Sequence, residues 1–344
     1  MRRIRVLAIF LFLAALAATV VVFNAGKPRL LILHSYDKDY SWTRDVDVGI
    51  RRGLKGGREY SMRWFYMDTK RHPWQDYKVN AGKAVQKLIT SWQPTVVIAV
   101  DDDAQEYAMR YFANRPQVKI VFAGLNGEPE TFGYDKASNV TGILERKPYA
   151  ALKETLLLIT AARPGTRPPR ILFLGDTSES VRQDAAAFAK FDWAPIVVLD
   201  QRFANTFDDW KDAVAFAAKH QADFIVTANY RKILRNPGAK ILVPHREVVQ
   251  WTETHSRVPL LGTNAFYVED GGMLAVATSP YEQGEAAAAM ALQLLRNGKP
   301  ARAIPMQSTQ HFVIALRASS LQQWGIKLPA VYEAAARASA NFYP

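Results

Sequence analysis

Short apolar runs alternate with amphipathic stretches along almost the whole chain, and this alternation limits the folds open to it. Residues 30–33 and 95–100 are apolar runs of strand length, whereas the stretch from about Thr43 carries apolar residues at helical spacing. A strand followed by a helix, repeated many times, is the pattern of a parallel sheet with helices on both faces. The sequence therefore predicts an α/β fold built on doubly wound parallel sheets.

The pattern begins again after residues 140–144, which indicates a second sheet of the same type. A single core stops growing beyond roughly 250 to 300 residues, and this chain has 344. We therefore expect two lobes, with crossing strands near residues 142, 265 and 307. The predicted division is 1–26 for a leader, 27–142 with part of 266–306 for the N-terminal lobe, 143–265 for the C-terminal lobe, and 307–344 for a return segment packing on the lobes.

The first residues predict export. Residues 1–5 include three arginines, and residues 6–23 carry no charge, which is the layout of a secretory signal or a signal anchor. The apolar run is longer than the usual signal core of about 7 to 15 residues and reaches the lower limit of about 17 for a spanning helix. Both a cleaved signal peptide and an uncleaved tether to the inner membrane therefore stay open. The chain has no cysteine, which excludes a lipid anchor on that residue.

Motifs of catalysis are missing from the sequence. It contains no Gly-x-Ser-x-Gly elbow, no dinucleotide-binding glycine fingerprint, no phosphate-binding loop and no His-Glu-x-x-His. Its six histidines show no paired ligand spacing. We therefore expect a protein that is not an enzyme, with no catalytic residue, metal or cofactor. The net charge of +12 is spread along the chain and does not form a basic stripe with aromatic residues, so solubility explains it better than nucleic-acid binding.

Ligands of open α/β sheets bind beyond the carboxyl ends of the strands, which makes those positions the candidate site. They carry aromatic rings, hydroxyls, amides and carboxylates from both predicted lobes, a set that suits a small polar or aromatic solute. Tyr281, which follows Pro280 at a predicted helix start, is added to them. The candidate ligand-binding residues are Ser35, Tyr36, Trp42, Asp101, Asp102, Asn126, Thr177, Asn229, Tyr230, Asn264, Phe266 and Tyr281.

Several of these residues have a structural interpretation as well. The run Asp101-Asp102-Asp103 suits a helix N-terminus, where a cap and acidic residues are favoured, or it presents one carboxylate to the cleft. Three consecutive residues cannot all converge on one ion without a dedicated loop, so a metal site is disfavoured. Tyr36, Trp42 and Tyr281 fit core packing as well as ligand stacking.

Seven segments in order resemble the ABC-transporter substrate-binding family of the type 1 periplasmic binding fold. The similarity covers essentially residues 28 to 330. The segments are Leu33-His34-Ser35-Tyr36, Trp42-Thr43, Asp101-Asp102, Val121-Phe122-Ala123-Gly124-Leu125-Asn126, Asn139-Val140-Thr141-Gly142-Ile143, Ser279-Pro280-Tyr281-Glu282-Gln283-Gly284 and Leu321-Gln322-Gln323-Trp324-Gly325-Ile326-Lys327-Leu328-Pro329.

The resemblance implies two Rossmann-like lobes that are joined by a multi-strand hinge and close on a solute in the periplasm. The implied function is capture of a small polar or aromatic solute and its delivery to the membrane permease of an ABC-type transporter. The alternative is ligand sensing together with a separate membrane kinase or cyclase. The His-Ser-Tyr opening and the Asp-Asp pair look more like the sensor-associated branch of the family, yet the chain carries no kinase or cyclase portion.

Overall fold

The strands form two separate sheets in a computed structural model that describes residues 2–55, 59–162, 167–296 and 299–344. In chain order the strands are β1 (Arg29–His34), β2 (Ser61–Tyr66), β3 (Val96–Val100), β4 (Lys119–Leu125), β5 (Val140–Leu144), β6 (Arg170–Asp176), β7 (Val197–Ala204), β8 (Phe224–Thr227), β9 (Leu260–Gly262), β10 (Leu274–Thr278), β11 (Gln307–Ser308), β12 (Phe312–Arg317) and β13 (Phe342–Tyr343).

Helices connect most of these strands. They are α1 (Arg2–Ala25), α2 (Ser41–Gly53), α3 (Gln75–Trp92), α4 (Asp102–Tyr107), α5 (Tyr149–Ala161), α6 (Glu179–Lys190), α7 (Phe207–Lys219), α8 (His245–His255), α9 (Phe266–Glu269), α10 (Pro280–Arg296), α11 (Ala318–Gln323) and α12 (Ala330–Ala338). The helix α4 ends at Tyr107, and a 3-10 turn, Met109–Phe112, follows. The Tyr107 carbonyl accepts a hydrogen bond from Gln86 Nε2 at 3.0 Å.

The first sheet has the strand order β11-β5-β4-β3-β1-β2, and all of its neighbouring strands are parallel. The second has the order β13-β12-β10-β9-β8-β6-β7, in which only the β10–β12 pair is antiparallel. The central strands β3 and β8 are buried along their whole length, as expected for parallel sheets covered by helices on both faces. The predicted fold class is confirmed.

The chain passes from one sheet to the other after β5, after β10 and after β11. The middle crossing comes later than residue 265, where the sequence placed it, because β10 pairs with β9 and β12 of the second sheet. The helix that follows, α10, packs on α2 and β4 of the first lobe. As a division of the whole chain into lobes, the ranges given above stay a prediction.

The N-terminal helix stands apart from both sheets. Within the described residues, its segment Arg3–Asn24 is the one helix long and apolar enough to cross a membrane, and its apolar side chains are exposed. It lies near the N-terminus, where a secretion signal has the same length and composition.

Two glycines let α2 and α10 approach closely. A Cβ atom added to Gly284 on α10 would lie 2.2 Å from the Val46 carbonyl oxygen and 2.6 Å from the Ile50 amide nitrogen. Gly49 on α2 has the reciprocal relation, since its added Cβ would lie 2.3 Å from the Tyr281 carbonyl oxygen. Backbone therefore packs on backbone where the chain returns to the first lobe after its second crossing.

We expect Gly284→Ala to destabilise the protein by about 1 to 3 kcal/mol, the typical cost of overpacking a tight contact. Alanine in a helix interior otherwise gains roughly 0.5 to 1 kcal/mol over glycine, and the clash with rigid backbone atoms outweighs that gain. Urea unfolding measures the effect. The control is Ala289→Gly at an exposed position of the same helix, which reports the helix propensity alone. A Gly284→Ala variant as stable as the parent would contradict the packing described.

Candidate functional site

The carboxyl ends of the strands in the two sheets face each other across a cleft, and side chains of the two lobes contact across it. Asn229 Nδ2, after β8, lies 3.3 Å from the hydroxyl of Tyr40, which lies between β1 and α2. Asn126 Nδ2, after β4, lies 3.3 Å from Asp184 Oδ1 on α6. Residues that are far apart in the sequence thus come together beyond the carboxyl ends of the strands.

A cavity of about 620 Å³ opens between the lobes on one side of these contacts. Its volume lies in the usual range of roughly 300 to 1,000 Å³ for small-molecule sites. The first lobe lines it with Trp74, Lys78, Asp102, Asp103, Tyr107 and Phe132, and the second lobe with Thr177, Ser178, Gln183, Asn205 and Lys232.

A second cavity, of about 610 Å³, opens on the other side of the contacts. Lys70 and Tyr40 line it from the first lobe, and Arg231 with the segment 240–245 lines it from the second. Trp74 borders both cavities. What we call the central pocket is the group of buried residues formed by Tyr36, Tyr40, Lys70, Asp101 and Asp176, of which Tyr40 and Lys70 border this second cavity.

Asp101 is the most constrained residue of the central pocket. Its backbone φ angle is +68°, a value that residues other than glycine rarely adopt. Trp42 Nε1 donates to Asp101 Oδ1 at 3.0 Å, whereas Oδ2 is buried and has no hydrogen-bond partner among the described residues. Burial, together with the charges of Glu145 and Asp102, raises the pKa of Asp101 well above its ordinary value. The second oxygen of this carboxyl group is thus a buried polar atom whose hydrogen-bonding capacity is unused.

The next two aspartates have different partners. Asp102 Oδ1 accepts from the Gly127 N–H at 2.9 Å, and Oδ2 accepts from the Asn126 N–H at 3.3 Å. Burial raises the pKa of Asp102 to about 7 in spite of these donors. Asp103 Oδ1 accepts from Lys78 Nζ at 2.9 Å. Burial alone would raise the pKa of Asp103, but the ammonium groups of Lys232 and Lys78 hold it below its ordinary value.

Lys70 brings a positive charge into the central pocket. The residue is only 4% exposed, and its Nζ lies 4.4 Å from the centre of the Tyr36 ring and 5.7 Å from that of Tyr40. Burial lowers the pKa of Lys70, while the charges of Asp176 and Asp101 oppose this shift.

The second lobe contributes its own buried charges. Asp176, at the end of β6, accepts from the backbone N–H groups of Ser178 and Lys232 at 2.9 and 3.0 Å. The Lys232 ammonium lies 4.0 Å from Asp103 Oδ2 of the first lobe, and burial lowers the pKa of Lys232 to about 7.

A further charged cluster lies where the chain leaves β5. Lys147 Nζ donates to Glu145 and to Asn264 Oδ1, the latter at 2.9 Å, and lies 3.7 Å from Asp184 Oδ2. Burial raises the pKa of Asp184 to about 7. The cluster joins the crossing segment to α6 and to the end of β9 in the second lobe.

Aromatic rings form one wall of the central pocket. Tyr36 and Tyr40 meet edge to face with ring centres 5.2 Å apart, and Phe266 of the second lobe lies 5.6 Å from Tyr40. The Arg231 guanidinium lies 4.9 Å from the Tyr40 ring and 4.5 Å from the Phe266 ring. The ring of Tyr40 thus contacts one cation from each lobe.

The structure assigns four other candidate residues mainly internal contacts. Ser35 Oγ donates to the Val100 carbonyl and accepts from the Ala104 N–H. Tyr230 is fully buried and donates to Asp270. Asn264 accepts from Lys147 and donates to the Ala228 carbonyl. Tyr281 borders a small cavity of about 210 Å³ together with three other candidates, Trp42, Asn264 and Phe266. Ligand contact by any of the twelve candidates stays a prediction.

Sequence reasoning missed Lys70 and Tyr40. Lys70 follows β2, and its place after a strand end is the signal that could have found it. Tyr40 lies between the candidates Tyr36 and Trp42, so its place and its aromatic ring are the signal that could have found it. Within the described residues, no group of three or more His, Cys, Asp or Glu side chains has the arrangement of a metal site.

Comparisons with known proteins agree with this geometry. The family model described as "ABC transporter substrate binding protein" matches residues 131–338, more than half of the chain. No curated protein matches the sequence.

Solved structures share the fold at low sequence identity. A conserved domain protein from Vibrio cholerae is 16% identical with a TM-score of 0.64, and the match covers 90% of this chain and 98% of that one. An ABC domain in complex with L-Trp from Streptococcus pneumoniae is 15% identical with a TM-score of 0.65, covering 89% and 98%. A carbohydrate transporter solute binding protein from Agrobacterium radiobacter, in complex with D-arabinose, is 10% identical with a TM-score of 0.56, covering 90% and 99%.

The raised pKa of Asp102 predicts a pH-dependent stability. Between the ordinary value of 3.8 and about 7, the folded chain holds a proton that the unfolded chain has released, so its stability falls as pH rises through this window. We expect the free energy of unfolding of the parent to fall from pH 5 to pH 7. In Asp102→Asn we expect this fall to be smaller by on the order of 2 kcal/mol.

Urea unfolding of both proteins at the two pH values measures this difference. Comparing the two pH values cancels the constant cost of the substitution. The exposed Asp135→Asn is the control and should keep the pH dependence of the parent. Equal pH dependence in Asp102→Asn and the parent would refute the assignment.

Proposed function

The chain belongs to the ABC transporter substrate-binding protein family, and we propose that it captures a small polar or aromatic solute between its lobes and delivers it to a membrane permease. Members of the family bind small solutes outside the cytoplasm, and the apolar helix α1 fits a signal peptide or an anchor. The proposed location is therefore the periplasm, with or without a tether to the inner membrane.

The observation that carries the proposal is the unused Asp101 Oδ2 in a cleft lined by aromatic rings. A buried acceptor without a partner costs about 1 to 3 kcal/mol, and a solute that brings an N–H or O–H donor would recover this free energy. The rings of Tyr36 and Tyr40 beside it supply apolar contact. The cleft thus offers the few convergent polar groups and the apolar wall that small-solute sites combine.

Closure of the lobes is the step that such a protein needs. Contacts across the cleft, such as Asn229 with Tyr40 and Lys232 with Asp103, exist only when the lobes approach. A solute that makes contacts with both lobes binds the closed form better and shifts the population toward it. The permease then recognises a closed, loaded protein by its surface.

Binding without chemical conversion agrees with the residues of the cleft. The carboxylates of Asp102, Asp103 and Asp176 accept from backbone N–H groups or from Lys78, and hydroxyl groups such as that of Ser35 are occupied by backbone partners. We therefore propose a solute receptor with no catalytic role.

A sensory role shares this cleft and differs in the partner. The two are separated by measuring uptake of the bound solute in a strain that lacks the protein. Transport predicts a loss of uptake. Normal uptake in that strain would instead favour a membrane sensor as the partner.

We expect Asp101→Asn to weaken solute binding by about 10- to 100-fold, because losing the hydrogen bond between solute and carboxyl group leaves a buried polar atom unpaired, at a cost of about 1 to 3 kcal/mol. Asparagine keeps an acceptor for Trp42 and tolerates the positive φ. The solute is found first by a thermal-shift screen of amino acids, nucleosides, sugars, organic acids and amines. Titration calorimetry then compares the parent with Asp101→Asn and with Asp135→Asn, an exposed control that should bind normally. Unchanged affinity in Asp101→Asn would remove this residue from the site.

A further inference from the structure

We infer that Lys70 sets the specificity of the cleft, because its ammonium occupies the position in which a solute cation would bind. In the absence of solute, the lobes close on the ammonium group of Lys70. A cationic solute binds by displacing this group. The inference rests on the proposed function and adds the charge class of the solute.

The first step is the position of the ammonium group. Lys70 Nζ lies 4.4 Å from the centre of the Tyr36 ring and 5.7 Å from that of the Tyr40 ring, and the residue is only 4% exposed. A cation within about 6 Å of a ring centre is attracted to the ring face. Two rings that meet edge to face form two walls of a cation site.

The second step is the absence of a direct partner. Three other lysines are buried beside the cleft, and each has a carboxylate partner: Lys78 donates to Asp103, Lys147 donates to Glu145, and the Lys232 ammonium lies 4.0 Å from Asp103 Oδ2. Within the described part of the chain, Lys70 Nζ makes no hydrogen bond and has no carboxylate at ion-pair distance. Rings and more distant charges are all that hold this ammonium, so a solute group can replace it without breaking an ion pair.

The third step is the charge around it. The negative charges that act on Lys70 come from both lobes, Asp101 and Asp103 on the first and Asp176 on the second. A positive charge between them draws the lobes together. An anion brought to the same place would face the carboxylates of Asp103 and Asp176, and for this reason we reject the alternative that Lys70 anchors an acidic solute.

The fourth step is a way out for the displaced side chain. Lys70 borders the cavity of about 610 Å³ on the open side of the central pocket. Asp37 and Asp39 border the same cavity and offer carboxylates to an ammonium that swings outward. A solute amine is then left with the Tyr36 ring and with Asp101 Oδ2, which has no other partner.

The test uses Lys70→Met, which keeps the length and apolar stem of the side chain and removes its charge. Without solute, we expect small-angle X-ray scattering to give a larger radius of gyration for the variant, because the carboxylates of the two lobes then repel. We also expect tyramine to bind the variant at least about tenfold more tightly than the parent, since the competing cation is gone. Lys87→Met, on an exposed position of α3, should match the parent in both measurements.

Other probes and variants make the test decisive. Choline adds a second cation, D-ribose a neutral solute and benzoate an anion, each titrated by calorimetry. Lys70→Arg keeps the charge and should stay closed, and Lys70→Gln replaces the Met variant if circular dichroism shows that the latter is unfolded.

Two results would overturn the inference: scattering and tyramine affinity unchanged in Lys70→Met, or benzoate binding that the parent shows and the variant loses. If none of these probes binds any protein, the scattering alone decides the role of Lys70, and the proposed solute capture loses support separately.

Discussion

Charged groups buried between two lobes are the constraint on which the rest of this structure depends. An ion removed from water carries a penalty of several kcal/mol unless charges and hydrogen bonds of the protein replace its hydration. Here Asp101 and Asp103 of the first lobe lie with Asp176 and Lys232 of the second. Each lobe supplies counter-charges to the buried ions of the other lobe. The buried charges are therefore neutralised only as the lobes approach, and the two processes form one coupled equilibrium.

The topology explains why these charges meet. Parallel strands present their carboxyl ends at one edge of a sheet, and three crossings of the chain hold the two edges face to face. The contact of α2 with α10 fixes the first lobe to the chain just after it leaves β10, through two glycines that permit backbone contact. Segments at the crossings, such as Lys147 after β5, carry charges that join the same network.

The sequence predicted this architecture well, because the alternation of strand and helix is a local pattern. It placed the second crossing too early, since the apolar run that forms β10 suits either sheet and only its pairing with β9 and β12 decides. It identified Asp101 as a candidate but not its strained backbone or the hydrogen bond of its side chain with Trp42. Pairings such as Lys232 with Asp103 join residues far apart in sequence across two lobes, and no local pattern encodes them.

The balance of charge in the cleft has a consequence for selectivity. A neutral solute leaves Lys70 among the carboxylates and has to fit beside it, whereas a cation takes over both its ring contacts and its counter-charges. An anion adds a negative charge to those of Asp103 and Asp176, and the repulsion grows as water leaves the closing cleft. Selection by charge therefore precedes selection by shape. The charge of the solute decides whether the lobes close on it, and the rings of Tyr36 and Tyr40 restrict its size only after the charges are matched.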